Sequence, residues 1–192
     1  MEYDDIMKSD EGVYMWLEKL NLFGICMVKK VPTELNTIEK VLGRITYIRP
    51  TMYGKLFDVI SVPNAINIAY TNSHLDLHAD LCYYETPPGL QFLHCLKNDA
   101  VGGENLFADG FKAAEILRST KPESFSLLSQ LLNTYHKEGK DHHLIYRRPV
   151  IATNEFDNVI GIHYSPPFLG TLHVPFKYVE QYYQAFKDFT LV

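Results

Sequence analysis

Between Thr71 and Cys82 the chain reads Thr-Asn-Ser-His-Leu-Asp-Leu-His-Ala-Asp-Leu-Cys, with His74, Asp76, His78 and Asp80 on one parity and Leu75, Leu77, Ala79 and Leu81 on the other. Side chains alternate in direction along an extended backbone, so a strict period of two predicts a strand with one polar and one apolar face. A helix would spread the same leucines around much of its circumference and bury none of them well. Other short β-prone runs agree with a sheet: residues 66–81, 90–96, 105–108, 143–152 and 159–164. Turn chemistry separates them at Pro87-Pro-Gly89, Gly102-Gly103, residues 154–158 and Pro166-Pro167.

Helical signals flank these runs. Ser9 and Asp10 offer an N-cap ahead of Val13, Trp16, Leu17 and Leu20, and Asn21 and Gly24 stop the pattern. Residues 23–31 are β-rich and end at Pro32, and residues 35–42 with Gly43 behind them read as a second short helix. Further helices are expected over 111–118 behind an Asp109 cap and over 123–135 with Pro122 in the first turn. After Pro175, the positions Tyr178, Val179, Tyr182, Tyr183, Phe186 and Phe189 mark a strongly amphipathic helix. The expected class is α+β, a single domain over 1–192 built on a sandwich or jelly roll with flanking helices. Five or so strands are too few to close an eight-stranded jelly roll, so the sequence is expected to be cut short at its C-terminus.

The 192 residues carry 18 Lys plus Arg against 23 Asp plus Glu, a net charge of −5, with no basic block longer than two residues. Such a chain has no stripe for neutralising phosphates or anionic lipid, which argues against nucleic-acid and membrane-surface binding. The longest apolar stretch, residues 22–28, is too short for a signal region or a membrane span. Cys26, Cys82 and Cys95 are odd in number and widely spaced, as expected of reduced thiols inside a cell.

On an extended backbone, His78 and Asp80 at i and i+2 share a face, so an imidazole nitrogen and a carboxylate oxygen can reach one cation. This is two-thirds of a 2-His-1-carboxylate facial triad, which leaves positions open on iron. From spacing alone, a solvated polar strand face explains the same residues. A zinc pairing of His74 with His78 at i and i+4 needs a helix, against the alternation, and the Glu that follows the first His of zinc-protease helices is Leu75 here.

Three segments carry a resemblance: Asn67-Ile-Ala-Tyr-Thr71, then Leu77-His-Ala-Asp-Leu-Cys-Tyr-Tyr-Glu-Thr-Pro-Pro-Gly-Leu-Gln-Phe-Leu-His-Cys95, then Gly102-Gly-Glu-Asn-Leu-Phe-Ala-Asp-Gly-Phe111. Together they resemble the γ-butyrobetaine and trimethyllysine dioxygenases of carnitine biosynthesis, members of the taurine dioxygenase-like, Fe(II)- and 2-oxoglutarate-dependent oxygenases. The resemblance implies a distorted double-stranded β-helix, or jelly roll. His78 and Asp80 match its first two iron ligands, and Asn67 and Leu93 match positions that contact or line the cosubstrate. A turn-capping amide and a core leucine are the structural alternatives for Asn67 and Leu93.

The substrates of this family carry a trimethylammonium group, which has no N–H and is recognised by shape and charge. Aromatic faces suit it, because the ring quadrupole attracts a desolvated cation. Tyr53, Phe57 and Tyr70 match the family's aromatic cage, with Phe57 standing where γ-butyrobetaine enzymes carry Trp. In a chain with 13 Tyr, 11 Phe and 1 Trp, core packing is the alternative for each ring taken singly. The resemblance further implies Fe(II), 2-oxoglutarate as cosubstrate, ascorbate as reductant, O2, a small trimethylammonium substrate and a homodimer. γ-Butyrobetaine converted to carnitine is the leading substrate, and a cytoplasmic location is expected, with mitochondrial as the alternative.

Departures from the family pattern stand beside the matches. The strand end thought to receive the substrate carboxylate reads Gly161-Ile-His-Tyr-Ser-Pro-Pro-Phe168, without its asparagines. The family's N-terminal zinc-binding domain is expected to be absent. Its second iron-binding His, and the Arg that pairs with 2-oxoglutarate, belong after the helix that closes this chain. Two other readings follow: a catalytically inactive, truncated paralogue that keeps the aromatic cage, and, less favoured, a different metal enzyme using His74, His78 and Asp80.

Overall fold

Ser9 caps the first long helix as its residue type predicts: its Oγ accepts from Gly12 N–H at 3.0 Å, and Gly24 at φ 69° closes the far end, donating to Leu20 O at 2.9 Å. The computed structural model describes residues 1–60, 74–99, 101–139 and 141–192. They belong to two compact units, Met1–Ile60 with Gly89–Gly103, and Ser61–Pro88 with Glu104–Val192.

The first unit contains α1 (Tyr3–Lys8), α2 (Asp10–Phe23) and α3 (Thr37–Leu42). Its core is Ile6, Trp16, Val41 and Leu42, with Phe92 edge-on to Trp16 at 5.9 Å. Gly12 lets α2 press onto α1, because a Cβ there would meet Asp5 O at 1.9 Å. The N-terminal strip is pinned by Tyr3 N–H to Lys29 O at 2.9 Å and Lys29 N–H to Met1 O at 2.8 Å. The β-rich residues 23–31 therefore make a single bridge, Glu2 to Lys29, in place of the strand their composition predicts.

The second unit holds α4 (Gly110–Thr120), α5 (Pro122–Gln130), β1 (Asn133–Glu138), β2 (His143–Arg148), β3 (Ile151–Thr153), β4 (Val159–Ile162) and α6 (Val179–Thr190). Asp109 Oδ1 caps α4 at Lys112 N–H, 3.0 Å, and Pro122 opens α5. Strands β1 and β2 pair antiparallel from Asn133 opposite Arg148 to Glu138 opposite His143, and β3 pairs with β4 across a bulge at Ala152 and Thr153. The core lies between α4, α5, α6 and β3, from Leu117, Phe125, Leu128, Val150, Ile151, Tyr182 and Phe189. Buried Asp188 of α6 accepts from Lys121 Nζ at 2.5 Å, Ser124 Oγ at 2.7 Å and Gln184 Nε2 at 2.9 Å, fastening α6 to the start of α5.

Several expected boundaries move. The helix expected over 123–135 ends at Gln130, because Asn133 and Tyr135 are both buried with a half-buried residue between them, the period of a strand. Asn133 accepts from Tyr182 Oη and Tyr135 Oη donates to His163 O, so the buried polar groups of β1 find partners only when it is extended. The run expected over 143–152 divides into β2 and β3 around Pro149, which has no N–H to offer a ladder. Residues 90–96 and 105–108 are irregular where strands are expected. The clearest reversal is at 74–81, which forms an irregular segment running into a turn; the expected run from 66 to 73 lies outside the described residues. Among the described residues the sheets are two antiparallel pairs, and no closed barrel is present.

Candidate metal centre

The segment after residue 74 is fixed by separate contacts. Ala79 N–H donates to Tyr164 O at 2.6 Å, two residues beyond the end of β4. Tyr84 N–H donates to Leu81 O at 3.0 Å and Cys82 Sγ to Ala79 O at 3.4 Å, closing a turn in which Leu81 takes φ 58°. Arg148, the last residue of β2, donates to the carbonyls of Tyr84 and Glu85, the latter at 2.8 Å. These contacts explain why alternation does not produce a strand: a positive φ at a leucine reverses the chain at Leu81 and takes the following residues out of register.

Within this segment His78 Nδ1 lies 2.7 Å from Asp76 O. A carbonyl only accepts, so Nδ1 carries the ring proton and the neutral imidazole presents its Nε2 lone pair. Asp80 Oδ1 stands 3.4 Å from that Nε2, with the two side chains 21% and 42% exposed. Asp80 foremost, and the Asp76 carbonyl after it, raise the His78 pKa above the ordinary histidine value, outweighing a desolvation that lowers it. The pair thus favours a positive charge between them, and a half-buried imidazole nitrogen beside a carboxylate oxygen can share a cation. His74 Nε2 instead meets Asp76 Oδ1 at 3.0 Å, on side chains 76% and 86% exposed. Among the described residues no cluster of three or more His, Cys, Asp or Glu is placed to hold a metal.

The other expected site residues divide between the units. Tyr53 and Phe57, in the first unit, meet with ring centroids 5.4 Å apart and planes tilted 41°. A tight turn sets them: Thr51 and Gly54 exchange backbone bonds at 3.0 and 2.9 Å, Gly54 takes φ 90°, and Tyr53 N–H donates to Thr51 Oγ1 at 3.1 Å. Phe57 is 49% exposed, which sets its ring apart from the core. Leu93, also in the first unit, is 65% exposed and so is not a core leucine. Asn67 and Tyr70 lie outside the described residues. His163 donates from Nδ1 to Pro149 O at 3.1 Å, and burial first, then the Arg148 charge, push its pKa down.

The profile described as "Taurine catabolism dioxygenase TauD, TfdA family" matches residues 1–191. The chain belongs to the TauD/TfdA family. Among curated relatives of this TauD/TfdA chain, the dioxygenase str8 of Strobilurus tenacellus is 38% identical over 90% of the chain and 42% of its own length. The gamma-butyrobetaine dioxygenase of Pseudomonas sp. (strain AK-1) is 36% identical over 98% of the chain and 49% of its own length. The mitochondrial trimethyllysine dioxygenase of Homo sapiens is 33% identical over 100% of the chain and 47% of its own length. The chain thus spans about half the length of the curated relatives it matches. Among the described residues no helix is long and apolar enough to cross a membrane.

Arg148 is a contact of the site that no motif in the sequence marks. Its only local signal is a basic pair, Arg147-Arg148, ahead of Pro149 in an otherwise β-prone run.

Proposed function

We propose that this TauD/TfdA protein is an Fe(II)- and 2-oxoglutarate-dependent dioxygenase that hydroxylates a small trimethylammonium compound, with γ-butyrobetaine, giving carnitine, as the first candidate. The observation that carries the reading is the approach of Asp80 Oδ1 to within 3.4 Å of a His78 Nε2 whose ring is already oriented through Nδ1. A nitrogen and a carboxylate oxygen are the donor types that non-haem iron takes. The proposed iron ligands are therefore His78 and Asp80, completed by a third group from outside the described residues. Iron, when bound, supplies the oxygen chemistry that couples decarboxylation of 2-oxoglutarate to succinate and CO2 with insertion of an oxygen atom into a C–H bond.

The remaining steps fall to the chain. The Asp76 carbonyl holds Nδ1–H, so Nε2 is the nitrogen turned toward the cation, which takes the place of the proton that Asp80 otherwise favours there. The Asp80 carboxylate offsets part of the metal's charge. Asn67 and Leu93 are the proposed contacts to the cosubstrate. Tyr53 and Phe57, with Tyr70, are the proposed walls for the quaternary ammonium, and the tilt of the first two rings is the geometry of a corner that a trimethylammonium head can enter. The whole protein is assigned the family's jelly roll, with β1 to β4 part of it. Ascorbate as reductant, a homodimer and a cytoplasmic or mitochondrial location complete the proposal.

The test is succinate and hydroxylated-product formation by the full-length protein with Fe(II), 2-oxoglutarate and either γ-butyrobetaine or trimethyllysine. Turnover of γ-butyrobetaine that disappears in His78→Ala is expected. Turnover of trimethyllysine alone would reassign the substrate, and trimethylammonium binding without turnover of either would favour the inactive paralogue.

A further inference from the structure

Arg148 is 8% exposed, yet among the described residues no carboxylate pairs with it. Among the described residues its Nε is buried without a hydrogen-bond partner, while its guanidinium lies 4.4 Å from the centre of the Tyr146 ring and donates to two peptide carbonyls. A buried cation met by dipoles and a ring face is costly, and hydrophobic residues of the same volume would ordinarily serve a core better. The charge is felt nearby: after burial, it is the second cause of the lowered His163 pKa.

What the cation holds is specific. Both carbonyls, of Tyr84 and Glu85, belong to the segment that leaves Asp80, and both lie more than 60 residues from Arg148 in sequence. Upstream, Ala79 N–H is tied to Tyr164 O. Asp80 and the positive-φ Leu81 therefore sit between two anchors, one beyond β4 and one at the end of β2, itself registered against β1 over six residues. Without the second anchor a leucine at φ 58° has every reason to relax, and Asp80 turns with it.

We propose that Arg148 is a positioning residue for the metal centre: it clamps the turn after Asp80 so that the Asp80 carboxylate and His78 Nε2 converge on one cation. The inference rests on the assignment of His78 and Asp80 as metal ligands. A bidentate fork suits two adjacent carbonyls in a way that a lysine ammonium does not, so Arg148→Lys should keep only part of the effect.

The experiment is titration of the full-length protein with Co(II), a spectroscopic substitute for iron, read by its visible absorption, alongside circular dichroism and thermal melting. Arg148→Gln should fold, weaken Co(II) binding roughly 10–100-fold and alter the absorption band, as loss of a group that orients a ligand does. Arg148→Lys should fall between Arg148→Gln and wild type. A folded Arg148→Gln with wild-type Co(II) affinity and spectrum would overturn the proposal. If Arg148→Gln does not fold, Arg148→Lys decides: a folded protein with weakened binding supports the clamp, and one with unchanged binding overturns it. Unfolding of both variants would also overturn it, making Arg148 a residue of general stability. His78→Ala separates the two levels: undiminished Co(II) binding there removes the ligand assignment itself, whereas loss in His78→Ala with none in Arg148→Gln removes only the clamp.

Discussion

Two regions of the second unit reach a defined conformation by different means. The layer of α4, α5 and α6 against β3 is held by burial of Leu117, Leu128, Ile151, Phe189 and their neighbours, a diffuse attraction shared among many atoms. Among the described residues, the segment carrying His78 and Asp80 is held by directional contacts to Tyr164 and Arg148 and within its own turn, beside the burial of Cys82 and Tyr83. A core of the first kind tolerates shape-conserving change and loses stability by degrees. A site of the second kind contributes little to global stability and loses geometry at once when one contact goes.

The largest expected effect breaks the comparison at the site end. His78→Ala should abolish metal binding and turnover while leaving the unfolding midpoint within experimental error of wild type, as checked by metal titration and urea denaturation. A large loss of stability would place His78 among the structural residues. Next, Leu117→Ala, at a fully buried position, should cost about 2–5 kcal/mol in urea unfolding, yet leave metal affinity unchanged in the protein that remains folded. Metal affinity that falls in step with stability would show the two regions to be one cooperative device.

The aromatic corner of the first unit gives a smaller effect. Phe57→Ala should raise KM for a trimethylammonium substrate roughly 5–30-fold, the equivalent of about 1–2 kcal/mol of cation–π attraction, with kcat little changed. Phe57→Trp should lower KM, since Trp is the stronger partner. Unchanged KM in both variants would remove Phe57 from the cage.

The mildest expected effect is a pH dependence at Asp188. The Lys121 ammonium foremost, then Ser124, depresses its carboxyl to about 2 from an ordinary 3.8. A group depressed in the folded state stabilises it above the unfolded pKa and loses that contribution as pH falls through the folded value. Wild type should therefore lose stability between about pH 4 and pH 2 more steeply than Asp188→Asn, as measured by urea midpoints across that range. Parallel curves would mean that the contacts of Asp188 do not survive in solution.

What could be read from the sequence follows the same division. Ser9, Gly24, Asp109 and Pro122 mark helix ends correctly because capping satisfies backbone groups three or four residues away. The candidate pair of His78 and Asp80 is legible as a spacing, because groups at i and i+2 need only a locally extended chain to share a side. The strand expected around it was not correct. Alternation reports which side chains want water, and a ladder needs a neighbour at the right distance, whereas here the chain turns at Leu81. The switch from α5 to β1 depended on Asn133 meeting Tyr182, 49 residues on, and the Arg148 clamp spans 63 and 64 residues. Neither distance leaves a mark in a short window of sequence.

Leu81 adds a consequence for engineering. Its left-handed φ is one that glycine adopts without penalty, and a leucine there resists by about 1–2 kcal/mol. Leu81→Gly would relieve that resistance in the native state while widening the conformational choices of the unfolded chain, two effects of opposite sign on stability. A glycine placed here to gain stability would therefore bring little of it and would slacken the turn that follows His78 and Asp80, so the tension at this one residue is best regarded as part of the tool and kept.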